Sequence, residues 1–487
     1  MLFLYISAAS AAIFNVNSTA DATDINPGNG VCATASGTCT LRAAIVEANN
    51  YGTFDFINVP SGFYALTATG SSADEHVEDL DVTQDLAIWG SSAVIDASGI
   101  DQRVMQVHSG AKLELRGLTL QNGTSDPGQG EGGGIMKLDS DSDTRLYRVF
   151  IQGGHAGWGG GIYADNATLY TEETVIALNN AIYSGGGVYT NGGVAQFTTD
   201  STIGANTTND GSICYGDGGG ISVAEGAVVD VADSELINNA AGQYAGAVYV
   251  EDGHFALISS SVTGSRSCTV EEPLEAIRAF NGSVYIDGSS LNDNSDHALM
   301  LSGSVTAKVR RSAFYDNDNS GIWLHDSGAT LGIEHSTFAR NGQYGVMCGA
   351  ATECTASHIT GTDNGAADLA GDFEFSASVL DSEAACSSLT GTMQVTSSGD
   401  NVYRDGSDCN QASSDQDGIP DALLSRVSGP AGETHHPLNP AQSASLDNTT
   451  YECDPDQLNV TRPALCDSGA IELTGEEGEG EGEGREK

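Results

Sequence analysis

The chain has 487 residues, with 66 Asp and Glu against 18 Lys and Arg, a formal charge of −48. Such a field repels nucleic acid and anionic lipid, excludes both as partners, and admits a polyanionic substrate only across a bridging cation. Glycine is 62 residues, about 13% against an ordinary ~7%, yet proline is only 10 and hydrophobic residues reach 39%. That excludes collagen and global disorder.

Residues 1–12 form a short apolar run that ends in Ala9-Ser10-Ala11, an A-x-A cleavage pattern, and read as the remnant of a signal peptide. Residues 13–60 read as an N-terminal cap. Within it Leu41, Ala44, Ile45 and Ala48 fall at i, i+3, i+4 and i+7, which predicts a short amphipathic helix with Thr40 as N-cap. A Cys32–Cys39 bridge would staple it.

Residues 61–371 carry the repeat. GGGIM, GGGIY, GGGVY, GGGIS and AGAVY place aliphatic residues at Ile135, Ile162, Val188, Ile221 and Val248, and a weaker series continues at Ile277, Leu299, Ile322 and Val346. A second motif runs in parallel. An aliphatic residue or Phe is followed by two residues and then Asn, at Asn179, Asn206, Asn239, Asn294, Asn317 and Asn341. A period of about 22–33 residues, with alternating short strands and no helical pattern, predicts a solenoid and argues against four-stranded propeller blades. One coil of a parallel β-helix fits. Its aliphatic residues would stack between coils, its Asn amides would hydrogen-bond from coil to coil, and its glycines would allow positive φ at the corners.

Residues 372–474 lose the repeat and read as final coils with an irregular cap; 475–487, GEEGEGEGEGREK, read as a solvated tail. Ten cysteines fall into sequence-local pairs, Cys32/Cys39, Cys214/Cys268, Cys348/Cys354, Cys386/Cys409 and Cys453/Cys466, without zinc spacing. That suggests disulfides and an oxidising compartment. Sequons at Asn17, Asn122, Asn166, Asn206, Asn281, Asn448 and Asn459 fit an exported chain. No stretch is long enough to insert through a bilayer.

The paired GGGI and FxxN motifs resemble the repeats of polymorphic outer membrane proteins, which implies a right-handed parallel β-helix of the pectin-lyase-like superfamily. The segment FNVNSTADATDINPGNGVCATASGTCTLRAAIVEANN, with Cys39-Thr-Leu-Arg-Ala-Ala-Ile45, resembles the start of CSLREA-type bacterial surface proteins. Arg462-Pro-Ala-Leu-Cys-Asp-Ser-Gly-Ala-Ile-Glu472 resembles the end of choice-of-anchor Q domains. The resemblance implies a secreted or surface β-helix with no established enzyme activity.

If Ile162 points inward, its neighbour points out. The equivalent positions would be Met136, Tyr163, Tyr189, Ser222, Tyr249, Arg278, Met300, Trp323 and Met347, an outer ladder on which Tyr163, Tyr189, Tyr249 and Trp323 could hold a sugar or a protein. Asp415-Gln-Asp417-Gly-Ile-Pro-Asp421 resembles the short calcium loops of thrombospondin type-3 repeats, and Ca²⁺ is the expected ion at Asp415, Asp417 and Asp421. For catalysis, only His325, Asp326 and His335 with Arg310 suggest an acid–base cluster. The expectation is therefore an all-β, right-handed parallel β-helix of nine or more coils with a helical N-terminal cap. It would be a secreted or cell-surface protein, non-enzymatic, binding polysaccharide or a cell-surface protein. The alternatives are a polysaccharide lyase or glycoside hydrolase, and a self-associating stalk or fibre subunit.

Overall fold

The computed structural model describes residues 11–68, 78–126, 132–208, 215–267, 275–325, 328–350, 352–389, 394–417, 424–429 and 432–438. They form an all-β parallel solenoid of about 11 turns, a right-handed β-helix with one helix among the described residues. The chain divides into two compact units, Met1–Phe255 with Arg266–Glu272, and Ala256–Ser265 with Pro273–Lys487.

In the first unit one coil runs through strands Ile162–Asp165, Thr168–Glu172, Val175–Ala177 and Asn180–Ser184. Each pairs in parallel with the next coil, so that Ile162 meets Val188, Leu169 meets Ala195, and Ile176 meets Ile203. These six side chains are buried. Stacked in register, they make one continuous core that no single coil could enclose. Corners are tight left-handed turns, at Glu173 (φ 48°) and Leu178 (φ 59°) in this coil.

The glycine motif serves two purposes. Gly159, Gly185 and Gly218 take positive φ, and Ala245 holds the same place in AGAVY at φ 54°. The next glycine permits close stacking: a Cβ on Gly160 would lie 2.4 Å from the Asn180 carbonyl oxygen. At the first copy the expected register is wrong by one. Ile162 pairs with Met136, not Ile135, because Gly133 is the left-handed residue there and Ile135 falls in the place of Gly161. Met136 is therefore fully buried, and Lys137 faces outward beside Tyr163.

The asparagine row is a ladder. Asn179 donates from Nδ2 to Asn206 Oδ1 at 3.0 Å and to the Ile151 carbonyl at 3.1 Å, and Asn206 does the same to Asn239 and Ile176. Asn206 is fully buried, which removes it as a glycosylation site. At the unit's start the helix Leu41–Tyr51 is capped by Thr40 and closed by Gly52. Cys32 and Cys39 form a disulfide beside it. Glu47 accepts the Gly28 and Gly30 N–H groups, and buried Arg42 pairs with Asp21 at 2.7 Å.

The second unit has the same coil plan with shorter loops. Phe314 stacks on Phe338 at 5.2 Å. Its ladder runs Asn294, Asn317, Asn341 and then Asn364, a rung hidden from the FxxN pattern because Gly361 stands opposite Phe338. The ladder ends on Asp368, which accepts Asn364 Nδ2 at 2.7 Å and Ser382 N–H at 3.1 Å. Disulfides join Cys348 to Cys354 and Cys386 to Cys409. Cys214, Cys268, Cys453 and Cys466 lie outside the described residues, as do residues 439–474 of the expected final coils and cap.

Candidate functional site

In the first unit, alternation sends two columns of side chains out from one sheet. The triplets read outer, inner, outer along successive coils: Gln106-Val-His108, Lys137-Leu-Asp139, Tyr163-Ala-Asp165, Tyr189-Thr-Asn191, Ser222-Val-Ala224 and Tyr249-Val-Glu251. Each middle residue is buried.

The aromatic half of this face starts with Tyr163 and Tyr189. Their rings stack at 5.4 Å with planes 11° apart. Both are half-buried. Burial pushes the Tyr189 phenol up to about 12, helped by Tyr163 and by Glu251 and Glu225 nearby. Asp165 accepts from Asn191 Nδ2 at 2.9 Å and from Asn166. The row then breaks at Ser222, which is buried and takes a 2.9 Å hydrogen bond from Ser184. It resumes at Tyr249, stacked on Tyr244 at 6.2 Å.

The polar half went unread in the sequence. His108 Nε2 lies 2.6 Å from Asp81 Oδ1, and Asp139 accepts Gln106 Nε2 at 2.8 Å with Lys137 Nζ at 3.4 Å. The hydrogen bond to Asp81 raises the His108 imidazole above its ordinary range. Burial, with Asp81 adjacent, pushes the Asp79 carboxyl up to about 6, against the opposing charge of Arg103. A protonatable carboxyl, a histidine and a lysine thus sit three, two and one coils from Tyr163. Asp81, Gln106 and His108 precede the first glycine motif and so stand outside the repeat pattern that marks the other outward residues.

A second outward face of the same unit was also missed. Asn58, Trp89, Arg116, Tyr147 and Glu172 occupy one register position in five successive coils.

The other expected residues are placed as follows. Trp323, in the second unit, is half-buried between His297 at 4.7 Å and His325 at 4.8 Å, on the row Arg278, Met300, Trp323, Met347. Burial lowers His297 to about 4, so that ring is neutral at physiological pH. His335 is buried against His358, and Arg310 pairs with Glu334 at 2.9 Å. His325, His335 and Arg310 thus each have a different partner. Asp326 lies outside the described residues. Asp415 accepts from Tyr403 Oη at 3.0 Å and Ala412 N–H at 2.8 Å; Asp417 accepts Gly406 N–H at 2.8 Å. Asp421 is outside the described residues. Among the described residues no group of three or more His, Cys, Asp or Glu could hold a metal ion.

Residues 219–379 match the family model for the right-handed β-helix region. No curated protein matches the chain. Among solved structures, the A-module of the mannuronan C-5 epimerase AlgE6 of Azotobacter vinelandii is 14% identical over 83% of this chain and 96% of that one, at a TM-score of 0.36. Pectate lyase Pel9A is 13% identical over 96% and 97%, at 0.35. The tailspike protein of E. coli bacteriophage HK620, in complex with a pentasaccharide, is 12% identical over 74% and 77%, at 0.34.

Proposed function

We propose that this is a secreted or cell-surface β-helix protein that binds carbohydrate along the Tyr163–Tyr189 face without cleaving it. The observation that carries this reading is the coplanar, half-buried tyrosine pair on an outward strand row. Flat aromatic surface packs against the C–H faces of sugar rings, and the flanking Asp165, Asn191 and Lys137 can bond hydroxyls. The disulfides are compatible with an extracellular site, as is the lack, among the described residues, of a helix long and apolar enough to cross a membrane. Calcium at the loop of Asp415, Asp417 and Asp421 would be an addition to this reading and enters no step of it.

A polysaccharide lyase or glycoside hydrolase is the second reading. One observation favours it: Asp79, which holds its proton up to about pH 6, shares a cluster with the His108–Asp81 pair beside Lys137.

Size-exclusion chromatography of a polysaccharide panel, after incubation with the protein, separates the two. Intact polymer that elutes at larger size, with loss of the shift in Tyr189→Ala, supports binding. Polymer that elutes at smaller size, with loss of that effect in His108→Ala, sinks the binding-only reading and supports the enzyme. No change for any polymer overturns both.

A further inference from the structure

The second outward face of the first unit forms a concave groove of about 410 Å³, inside the ~300–1,000 Å³ range of ligand sites. Its floor is open because the corner there is built of small residues, Gly90, Ser91, Ser92 and Gly117. Gly117 turns with φ 61°, and a Cβ on Gly90 would lie 2.3 Å from Leu118 Cδ2. On the next two coils the same corner carries Arg148 and then Glu173, whose two-pronged pair at 2.7 and 2.9 Å closes the groove end. The wall is a stack. The Arg116 guanidinium lies 4.1 Å over the Tyr147 ring, and Tyr147 meets Tyr170 at 6.0 Å. Outside the groove, Trp89, 43% exposed, donates Nε1–H to Glu114 at 3.1 Å, and the same carboxylate holds Arg116 by its Nε at 2.5 Å.

The charges decide the ligand. Arg116, Arg145 and Arg148 are three of only 18 basic residues in the chain. Each is already paired on this face, with Glu114, Asp143 and Glu173. A polyanion would meet no uncommitted cation here and would face the repulsion of a −48 chain. A flat protein partner would need about 800 Å² of matching surface per side, whereas this feature is narrow and concave. The Tyr147 ring, beside the guanidinium groups of Arg116 and Arg148 and the carboxylates of Glu172 and Glu173 for hydroxyls, suits a neutral sugar chain.

We infer that the groove lined by Ser91, Arg116, Tyr147 and Glu172 is a binding site for a neutral polysaccharide, separate from the Tyr163–Tyr189 face.

Affinity gel electrophoresis tests this on the full chain, since so acidic a protein migrates fast and retardation is easily read. The gels contain xyloglucan, galactomannan, mixed-linkage β-glucan or polygalacturonate. The expected result is retardation by at least one neutral polymer, weakened about tenfold or more in Tyr147→Ala and in the exposed-site variant Arg116→Ala, and unchanged in Tyr189→Ala. Retardation by polygalacturonate alone, or by no polymer, overturns the proposal. Loss in Tyr189→Ala with retention in both groove variants also overturns it, while upholding the tyrosine face. Near-ultraviolet circular dichroism of each variant identifies any that misfolds, and the other groove variant then decides.

Discussion

Tyr163 and Tyr189 lie 26 residues apart in the chain, yet their rings stack at 5.4 Å and 11°, because parallel pairing sets Ile162 against Val188. Neither ring belongs to the core. Each is held by the coil beneath it and by the other.

Tyr189 should therefore titrate late. Burial holds its phenol at about 12, while an ordinary tyrosine ionises near ~10. A spectrophotometric titration of wild type against Tyr189→Phe should show no difference near pH 10 and one fewer phenolate as the pH approaches 12. A difference that is complete by pH 10.5 would show the pair to be open to solvent.

The asparagine ladder should be costly to break. Asn206→Ala removes the acceptor for the Asn179 backbone N–H and side chain, and the donor to Ile176. Each orphaned buried group costs about 1–3 kcal/mol, so the variant should lose about 3 kcal/mol or more in chemical unfolding. A loss below about 0.5 kcal/mol, the level of an ordinary surface change, would mean that the ladder is decorative. Asn206 glycosylation should be absent by mass spectrometry of correctly folded protein.

Asp368 gives the second unit a pH dependence of unusual sign. Burial, with Asp381 nearby, pushes its carboxyl up to about 7, against the hydrogen bonds from Ser382 and Asn364. The unfolded group loses its proton near ~3.9. Between those values the folded state holds the extra proton. Its contribution to stability is therefore complete below about pH 4 and lost as the pH rises toward 7. Asp368→Asn should flatten that slope in unfolding followed from pH 4 to 8, and should be the more stable form at pH 8. A shift of this size corresponds to at most about 4 kcal/mol at ~1.36 kcal/mol per unit. A wild type that gains stability steadily over this range, with the variant parallel to it, would contradict the assignment.

The N-terminal cap should behave in the opposite sense. Burial works against the Asp21 carboxylate, but hydrogen bonds and charge from Arg42 outweigh it and hold Asp21 below the usual range. The pair's contribution is present above pH 4 and fades as acid protonates Asp21. Arg42→Ala strands a buried carboxylate and should cost about 3–5 kcal/mol. Hydrogen exchange in the helix Leu41–Tyr51 would detect the loss locally.

Much of this molecule is legible in the chain. The glycine and asparagine periods specify the coil, because a solenoid asks the same packing of every turn. Core positions must be aliphatic, and a buried amide must find its rung. The capping helix follows from Leu41, Ala44, Ile45 and Ala48 behind Thr40, and three local cysteine pairs close as their spacing suggests. Asn364 escaped because glycine replaces its aromatic partner, and Asp368 because nothing in its sequence marks it as the ladder's end.

The outward faces obeyed no such rule. A side chain facing solvent is free of the core's demands, so its identity carries no period, and its neighbours lie a whole coil away in sequence. A one-residue slip then reverses which side chain faces out, as Met136 and Lys137 show: Met136 went to the core, and Lys137 took the place beside Tyr163. The approach of His108 to Asp81 and of Arg116 to Tyr147 depends on register between coils. The chain alone set the solenoid and its rungs, through repeated burial. Only the tertiary structure, by aligning coils of unequal length, decided which polar and aromatic groups meet on its surface.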